Sequence, residues 1–205
     1  MTTRPYVSPI RNAVAAKKRA RVIAAAGRLL AESPDAGPFS LEAVAKAAGV
    51  TRLTVYNQFG SRRGLLEAVF DERARLGGLA RIPQALARAD ASAGLDRIID
   101  IFCEFWGDDP ALGRLHSAAA ADPEFAEAVA ERHERRRKVI ASLVARILND
   151  RPLSARSRRD VVDMIFVLTA YPTFAALVGD RSRDSVAALL KSACAGVLER
   201  AKEQG

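Results

Sequence analysis

The chain has 205 residues, of which 49% are apolar, and a formal net charge of +8. This apolar share excludes a disordered chain and is enough to build one or two packed units. No run of about 18 apolar residues predicts a membrane span, and no apolar segment near the N-terminus predicts a secretory signal. The two cysteines lie far apart in sequence, which excludes a disulfide framework and fits the reducing cytoplasm.

The positive charge is concentrated in the first part of the chain. Residues 1–75 hold 13 Lys and Arg against 6 Asp and Glu, whereas residues 76–205 hold 19 against 18. A basic head on a nearly neutral body favours a polyanionic partner, with double-stranded DNA as the leading candidate. Charge alone leaves a second interpretation open, in which the basic segment only improves solubility.

The periodicity predicts an all-α protein. Apolar residues recur at spacings of three and four, and no sustained alternation or hairpin signal indicates a strand. Glycine- and proline-rich breaks, the first at 33–38, divide the chain into about nine helices. The predicted helices are Asn12–Glu32, two short ones within 40–60, then 61–76, 92–106, 111–121, 123–148, 157–178 and a C-terminal helix.

The segment 40–60 has the spacing of a helix-turn-helix motif. Ser40 and Thr51 each stand where an N-cap is expected, and Gly49 between the two short helices suits a left-handed turn. Ala45 and Gly49 are four residues apart and small, so the two helices can cross closely. This geometry predicts a second helix that is free to enter a major groove, although short helical pairs of this kind also occur in bundles that bind no DNA.

The residue types in this segment indicate its function more specifically than the spacing of its helices does. It resembles the DNA-binding module of the TetR family of bacterial transcription regulators, and Arg62 and Gly64 depart from the family pattern, which usually has a lysine and an acidic residue there. The resemblance is carried by Phe39-Ser40-Leu41, Val44-Ala45, Ala48-Gly49-Val50, Thr54-Val55-Tyr56, Phe59, Ser61-Arg62 and Leu65-Leu66. It implies an N-terminal arm and DNA-binding head at 1–60, a linking helix at 61–76, and a ligand-binding and dimerisation body within 61–205.

Helix geometry selects the candidate DNA contacts. If Val55 and Phe59 face inward, the residues beside them face outward, where an arginine can pair with a guanine edge and a hydroxyl can reach a phosphate. The alternative for Tyr56 is a packing role. The expected DNA-binding residues are Ser40, Thr51, Arg52, Leu53, Thr54, Tyr56, Asn57 and Arg62.

Two C-terminal helices are expected to form a homodimer. The segment 157–178 is apolar almost all round, so it must be covered on every side, and a partner subunit is the natural cover in a small chain. Two helices that meet their symmetry mates form a four-helix bundle. The predicted interface stripe on the last helix consists of Val186, Leu189, Leu190, Ala193 and Val197.

The body also offers candidates for a ligand pocket. Apolar and amphipathic side chains suit a small apolar or aromatic ligand, uncharged or weakly anionic, although each residue taken alone is better explained as core. Pro172 either kinks its helix or opens space for that ligand. The charged run 132–138 is interpreted as a solvated helix face. The candidate lining residues are Phe102, Trp106, His116, Met164, Leu168 and Tyr171.

Nothing in the sequence favours catalysis. We find no phosphate-binding loop, no His or Cys at metal-ligand spacing and no nucleophile elbow, so we expect no enzyme, metal or cofactor. The favoured hypothesis is a cytoplasmic, nucleoid-associated and ligand-responsive regulator, most simply a repressor, that binds a pseudo-palindromic operator as a homodimer. The alternatives are a DNA-binding regulator or architectural protein without a small ligand and, less favoured, an all-helical enzyme.

Overall fold

A computed structural model describes residues 9–32, 39–150 and 152–203. The predicted N-terminal arm, up to residue 8, and the break at 33–38 lie outside the described residues. The described part holds a short 3₁₀ helix, Leu79–Arg81, and no strand. Its eleven α-helices are α1 (Pro9–Ala31), α2 (Leu41–Ala48), α3 (Arg52–Phe59), α4 (Arg62–Leu76), α5 (Ile82–Leu86), α6 (Ala91–Gly107), α7 (Ala111–Ala121), α8 (Pro123–Ile147), α9 (Ala155–Leu168), α10 (Tyr171–Val178) and α11 (Arg183–Glu203).

The prediction of an all-α chain is confirmed, and two differences explain the larger helix count. The segment between α4 and α6 holds α5 and the 3₁₀ helix, which are too short to show a helical period in the sequence. The segment 157–178 is divided into α9 and α10, which are bent by 49°. The break falls at Thr169 and Ala170, and Pro172 lies in the first turn of α10, where a proline costs little.

The chain divides into two compact units between Glu72 and Arg73. In the first unit, α2 packs against both α1 and α3. Its core is formed by small and branched side chains that recur along one face of each helix. These residues are Val22, Ala25, Ala26, Leu30, Val44, Ala45, Ala48, Val55, Leu65, Leu66 and Val69.

In the second unit, four helices pack in a ring, α6 on α8, α8 on α9, α9 on α11 and α11 on α6. α7 packs on α8, and α10 contacts α6, α9 and α11. The largest side chains fully buried in this unit include Phe105, Phe125, Ile98, Ile140 and Leu143. Across the described residues no single helix is long and apolar enough to cross a membrane, and only the bent pair α9 and α10 reaches the required length and apolarity together.

Candidate DNA interface and ligand-binding region

The helix α3 is fixed at its start by its own cap and by the turn before it. The Thr51 Oγ1 accepts a hydrogen bond from the Thr54 amide at 3.1 Å. Gly49 has φ of 63°, so the predicted left-handed turn is confirmed. The amides of Gly49 and Val50 donate back to the carbonyls of the last turn of α2 at 3.2 and 3.0 Å, which closes that helix in a Schellman motif.

One face of α3 is turned to solvent. Val55 is fully buried, while Arg52, Leu53, Tyr56 and Asn57 are exposed. Leu53 is 65% exposed and Tyr56 is 56% exposed, although both are large and partly apolar. A packing role for Tyr56 within this chain is therefore excluded, and the four side chains together form a continuous outer surface, called the α3 face below.

Two of the candidate contact residues also work as helix caps, and a third bonds to one of them. The Ser40 Oγ accepts a hydrogen bond from the Ala43 amide at 3.1 Å, which fixes the start of α2. The hydroxyls of Thr51 and Thr54 lie 2.9 Å apart and bond to each other. Ser40 keeps its donor proton for another acceptor, whereas the two threonines spend much of their hydrogen-bonding capacity locally.

Two arginines of α1 brace this motif, and sequence reasoning did not assign them. The Arg19 Nη1 donates to the Gln58 carbonyl at 3.0 Å, and the Arg19 guanidinium lies 4.4 Å from the centre of the Phe59 ring. The Arg21 Nη2 donates to the Gly49 carbonyl at 3.4 Å. These two arginines, near the middle of α1, therefore hold a carbonyl in the turn before α3 and another near the end of α3, and only the number of cations in α1 could have indicated such a role.

The start of α4 presents Arg62 beside an aromatic ring. The Ser61 Oγ accepts a hydrogen bond from the Gly64 amide at 3.0 Å and so caps the helix. The half-buried Arg62 guanidinium lies 5.8 Å from the centre of the Phe39 ring. Arg63 forms an ion pair of 2.6 Å with Glu67 one turn along α4.

The departure from the family pattern at Gly64 has a steric reason. A Cβ built on Gly64 would overlap the carbonyl oxygen of Phe59, well inside any real contact distance. The end of α3 and the start of α4 can therefore approach this closely only with glycine here. The lower helix propensity of glycine at this position is the cost of that approach.

In the second unit, four of the six candidate ligand residues form one aromatic cluster. The Trp106 ring centre lies 6.0 Å from that of Phe102 and 5.7 Å from that of Tyr171. Tyr171 in turn lies 5.3 Å from the His116 ring. The indole Nε1 of Trp106 donates to the Thr169 carbonyl at 3.1 Å, so the cluster is attached to the break between α9 and α10.

Of the other two candidates, Met164 lies apart from this cluster. Met164 is 51% exposed and lines a groove of about 330 Å³ between α9 and α11, so its assignment to a pocket with the aromatic residues is corrected. The cause is helical phase, because Ile165, the next residue of α9, takes the inward position and is fully buried. Leu168 is half-buried at the end of α9.

The interpretation of the run 132–138 as a solvated face is wrong at one residue. Arg136 is only 7% exposed. Its Nη1 donates to the Thr169 carbonyl at 2.8 Å, and its guanidinium lies 4.1 Å from the centre of the Phe166 ring and 5.4 Å from that of Phe102. One carbonyl at the helix break therefore receives donors from both Arg136 and the indole of the aromatic cluster.

A larger groove of about 710 Å³ lies between α8 and α9. Its lining is mostly charged, and an ion pair between Arg137 and Asp163 crosses it. The residues that line it are Glu134, Arg137, Lys138, Ala141, Leu153, Ala155, Arg158, Arg159, Val162 and Asp163.

The predicted interface stripe is corrected at two positions. Val186 is fully buried and Leu190 is 2% exposed, so both belong to the core of their own chain. Leu189 is 45% exposed, and Ala193 and Val197 are half-buried, on the outer side of α11. The predicted stripe therefore combined one row of residues that face the chain's own core with a second row that faces outward. Apolar residues spaced by three and four occur in both cases, so the spacing does not show whether the chain's own core or a partner covers them.

Among the described residues, the titratable groups give no sign of a nucleophile or a metal site. Burial raises the pKa of the Cys103 thiol to about 11 and that of Cys194 to about 12, so both stay protonated at neutral pH. Within the described ranges, no three His, Cys, Asp or Glu side chains come together as metal ligands.

Two family models match the sequence. One, described as bacterial regulatory proteins of the tetR family, covers residues 22–69, which include the helix-turn-helix. The other, described as a tetracyclin repressor-like C-terminal domain, covers residues 89–201, more than half of the chain. The chain belongs to the TetR family of transcription regulators. No curated protein matches its sequence.

Solved structures share the TetR fold with this chain. A transcriptional regulator from Rhodococcus sp. Rha1 is 16% identical with a TM-score of 0.69, covering 88% of this chain and 96% of its own. A regulator from Saccharomonospora viridis in complex with choline is 16% identical with a TM-score of 0.66, covering 86% and 95%. LfrR from Mycobacterium smegmatis in complex with proflavine is 23% identical with a TM-score of 0.57, covering 89% and 96%.

Proposed function

We propose that this TetR-family protein is a homodimeric repressor that binds a pseudo-palindromic operator through α3 and releases it when a small ligand binds the second unit. The α3 face carries the first part of the proposal. It sets a cation, an amide, a phenol and an aliphatic side chain side by side in solvent, on a helix whose two ends are fixed. These are the groups that read base edges and hold phosphates in a major groove.

Each residue of the α3 face has a distinct chemical task. Arg52, in the first turn, presents a two-donor fork suited to the O6 and N7 of guanine. Leu53 offers an apolar contact to a thymine methyl, and Asn57 can pair with adenine. Tyr56 donates its hydroxyl to a phosphate, which fixes the register of the helix without reading sequence.

The remaining candidates border this face and serve phosphates. Arg62 lies at the start of α4, where the helix dipole also favours an anion. Ser40 has a donor proton to spare, and Thr51 and Thr54 can add weaker contacts. The thirteen basic residues within 1–75 supply the general attraction to DNA.

The partner for dimerisation is a second copy of this chain, docked on the outer side of α9 and α11. Met164 and Val167 on α9 are 51% and 56% exposed, and Leu189 on α11 is 45% exposed. Ala193 and Gly196 on α11 are small enough for a second helix to approach closely. Two helices from each protomer form a four-helix interface, and its two-fold symmetry requires an operator with two equivalent half-sites.

A small ligand is proposed for the second unit around Trp106. The indole, the Tyr171 hydroxyl and the His116 ring give an apolar region with a few polar tips. Solved relatives of the same fold hold choline and proflavine. A ligand that binds one arrangement of the dimer more tightly shifts the population away from the arrangement that fits the operator.

The decisive experiment selects bound sequences from random DNA and measures their affinity by fluorescence anisotropy. We expect an enriched inverted repeat. Arg52→Ala should weaken binding to it about 5- to 150-fold and relax one base pair per half-site. Arg135→Ala, which removes the same charge from the exposed side of α8, is the matched control and should bind like the parent. Enrichment of no sequence, or equal binding by Arg52→Ala, would overturn the proposal.

A further inference from the structure

Arg136 is a buried cation that pairs with no acidic side chain among the described residues. It is 7% exposed, and within the described part of the chain it contacts no carboxylate. Burial, and then the like charge of Arg137, lower the pKa of Arg136 to about 10. A buried charge is normally paired, because removing it from water without a counterion is costly.

The guanidinium also leaves its best binding edge unused. Nη1 donates to the Thr169 carbonyl, while the buried Nε has no hydrogen-bond partner. The Nε and Nη2 side of arginine is a two-donor fork that fits a carboxylate bidentately. Capping the helix break needs only one donor, so it does not account for an arginine here.

The surroundings are aromatic, and the residues that the structure describes supply no compensating negative charge there. The rings of Phe166 and Phe102 lie 4.1 and 5.4 Å from the guanidinium, and Trp106 shares its carbonyl acceptor. His133, three residues earlier on α8, has its pKa lowered by burial and then by the positive charges of Arg136 and His116. The site therefore selects for an anion whose remaining surface is apolar.

We propose that the effector is a mostly apolar carboxylic acid whose carboxylate binds the unused edge of Arg136 between Phe102 and Phe166. This inference rests on the proposed function, because it names the chemical class of the ligand that releases DNA. It goes beyond the general apolar character of the region by requiring one negative charge at one position.

The Phe166 ring contacts both Arg136 and an arginine of the charged groove. It lies between two guanidiniums, at 4.1 Å from Arg136 and 4.2 Å from Arg137, and Arg137 lines the groove between α8 and α9. We expect a ligand that enters from that groove to displace the Phe166 ring on its way to Arg136. The cations of the groove attract an acid toward it.

The test compares carboxylates with neutral compounds of the same shape. Phenylbutyrate, decanoate and naphthoate are titrated into the full-length protein beside their primary amides, with Trp106 fluorescence and the melting temperature as readouts. We expect at least one carboxylate to bind, and to bind at least tenfold more tightly than its amide. The reason is that hydrogen bonds between a guanidinium and a carboxylate, which are both charged, are stronger than those to a neutral amide. Failure of all carboxylates to bind, or equal binding by the amides, overturns the inference.

Variants locate the interaction. Arg136→Met should reduce carboxylate affinity at least tenfold and leave amide binding unchanged, whereas Arg137→Met, which removes the neighbouring cation, should change it less than threefold. Arg136→Lys keeps the charge but has no fork and should weaken binding several-fold. If circular dichroism shows that Arg136→Met does not fold, Arg136→Lys becomes the deciding variant. Carboxylate binding by Arg136→Lys at the parental level would then refute the assignment.

Anisotropy on the selected DNA separates this inference from the proposed function. If the parent binds that DNA and only neutral compounds release it, the proposed repressor function is retained and the proposal of a carboxylic-acid effector is refuted. If no DNA is selected, the proposed function fails whatever Arg136 binds.

Discussion

Gly64→Ala should destabilise the protein although it improves the helix propensity of α4. By propensity alone, replacing a glycine within a helix by alanine gains about 1 kcal/mol. The added Cβ would, however, overlap the Phe59 carbonyl oxygen. That oxygen belongs to the backbone, so it cannot rotate away as a side chain would, and the end of α3 must shift relative to α4.

The magnitude follows from these opposing effects. Forcing an extra carbon into a filled site costs about 1–3 kcal/mol, occasionally more, and contact with backbone places this site at the upper end. After subtracting about 1 kcal/mol for propensity, we expect a net loss of about 1–2 kcal/mol in the free energy of unfolding. For a chain of this length this lowers the melting temperature by about 2–8 °C.

The assay is urea and thermal unfolding followed by far-ultraviolet circular dichroism, with Ala68→Gly as the control. Ala68 lies one turn further along α4, so its replacement reports the propensity difference of the same helix and should cost about 1 kcal/mol. The steric reasoning predicts that both variants lose stability, whereas propensity alone predicts opposite signs. A Gly64→Ala protein as stable as the parent, or more stable, would refute the proposed overlap.

Three further measurements test the site and the interface. Arg62→Ala should weaken binding to all DNA sequences alike and reduce the salt slope by about one, and an unchanged slope would remove this residue from the phosphate contacts. Leu189→Glu should sediment as a folded monomer, whereas Leu190→Glu should unfold or aggregate because its position is buried within the chain; a Leu189→Glu dimer would place the interface elsewhere. The pKa of His133 is lowered by burial and neighbouring positive charge, so the unfolded chain takes up a proton first and stability falls as the pH drops through 6.5. His133→Gln should flatten that fall between about pH 7 and pH 5, and an identical pH profile would show that another group causes it.

The fold could be predicted where local chemistry determines it. Ser40 and Thr51 mark two helix starts and Gly49 marks the turn, because caps and left-handed turns depend on residues close in sequence. The bend between α9 and α10 was only half predicted, since Pro172 indicated either a kink or space for a ligand. Pro172, three residues after Thr169, is the visible signal, but the Thr169 carbonyl at the break is satisfied by donors from α6 and α8, which no local pattern contains.

The site shows the same limit. The outward face of α3 follows from one helical period and the burial of Val55. The burial of Arg136 could not be predicted, since its neighbours in sequence are charged and the aromatic rings that enclose it come from α6 and α9. Val186 and Leu190 were likewise assigned to a partner because periodicity gives the phase of an apolar row and not the identity of what covers it.

The bracing of the motif by Arg19 and Arg21 has a consequence for engineering. Arg21 and Arg19 of α1 bind the carbonyls of Gly49 and Gln58, one before α3 and one near its end. The orientation of α3 therefore depends on a helix outside the helix-turn-helix. Transplanting residues 40–60 alone into another scaffold would transfer the side chains of the α3 face but not the contacts from α1 that orient them. If α3 reads the operator as proposed, a chimera that retains operator preference has to inherit α1 as well, and altered preference can arise in selections from substitutions in α1 that touch no base.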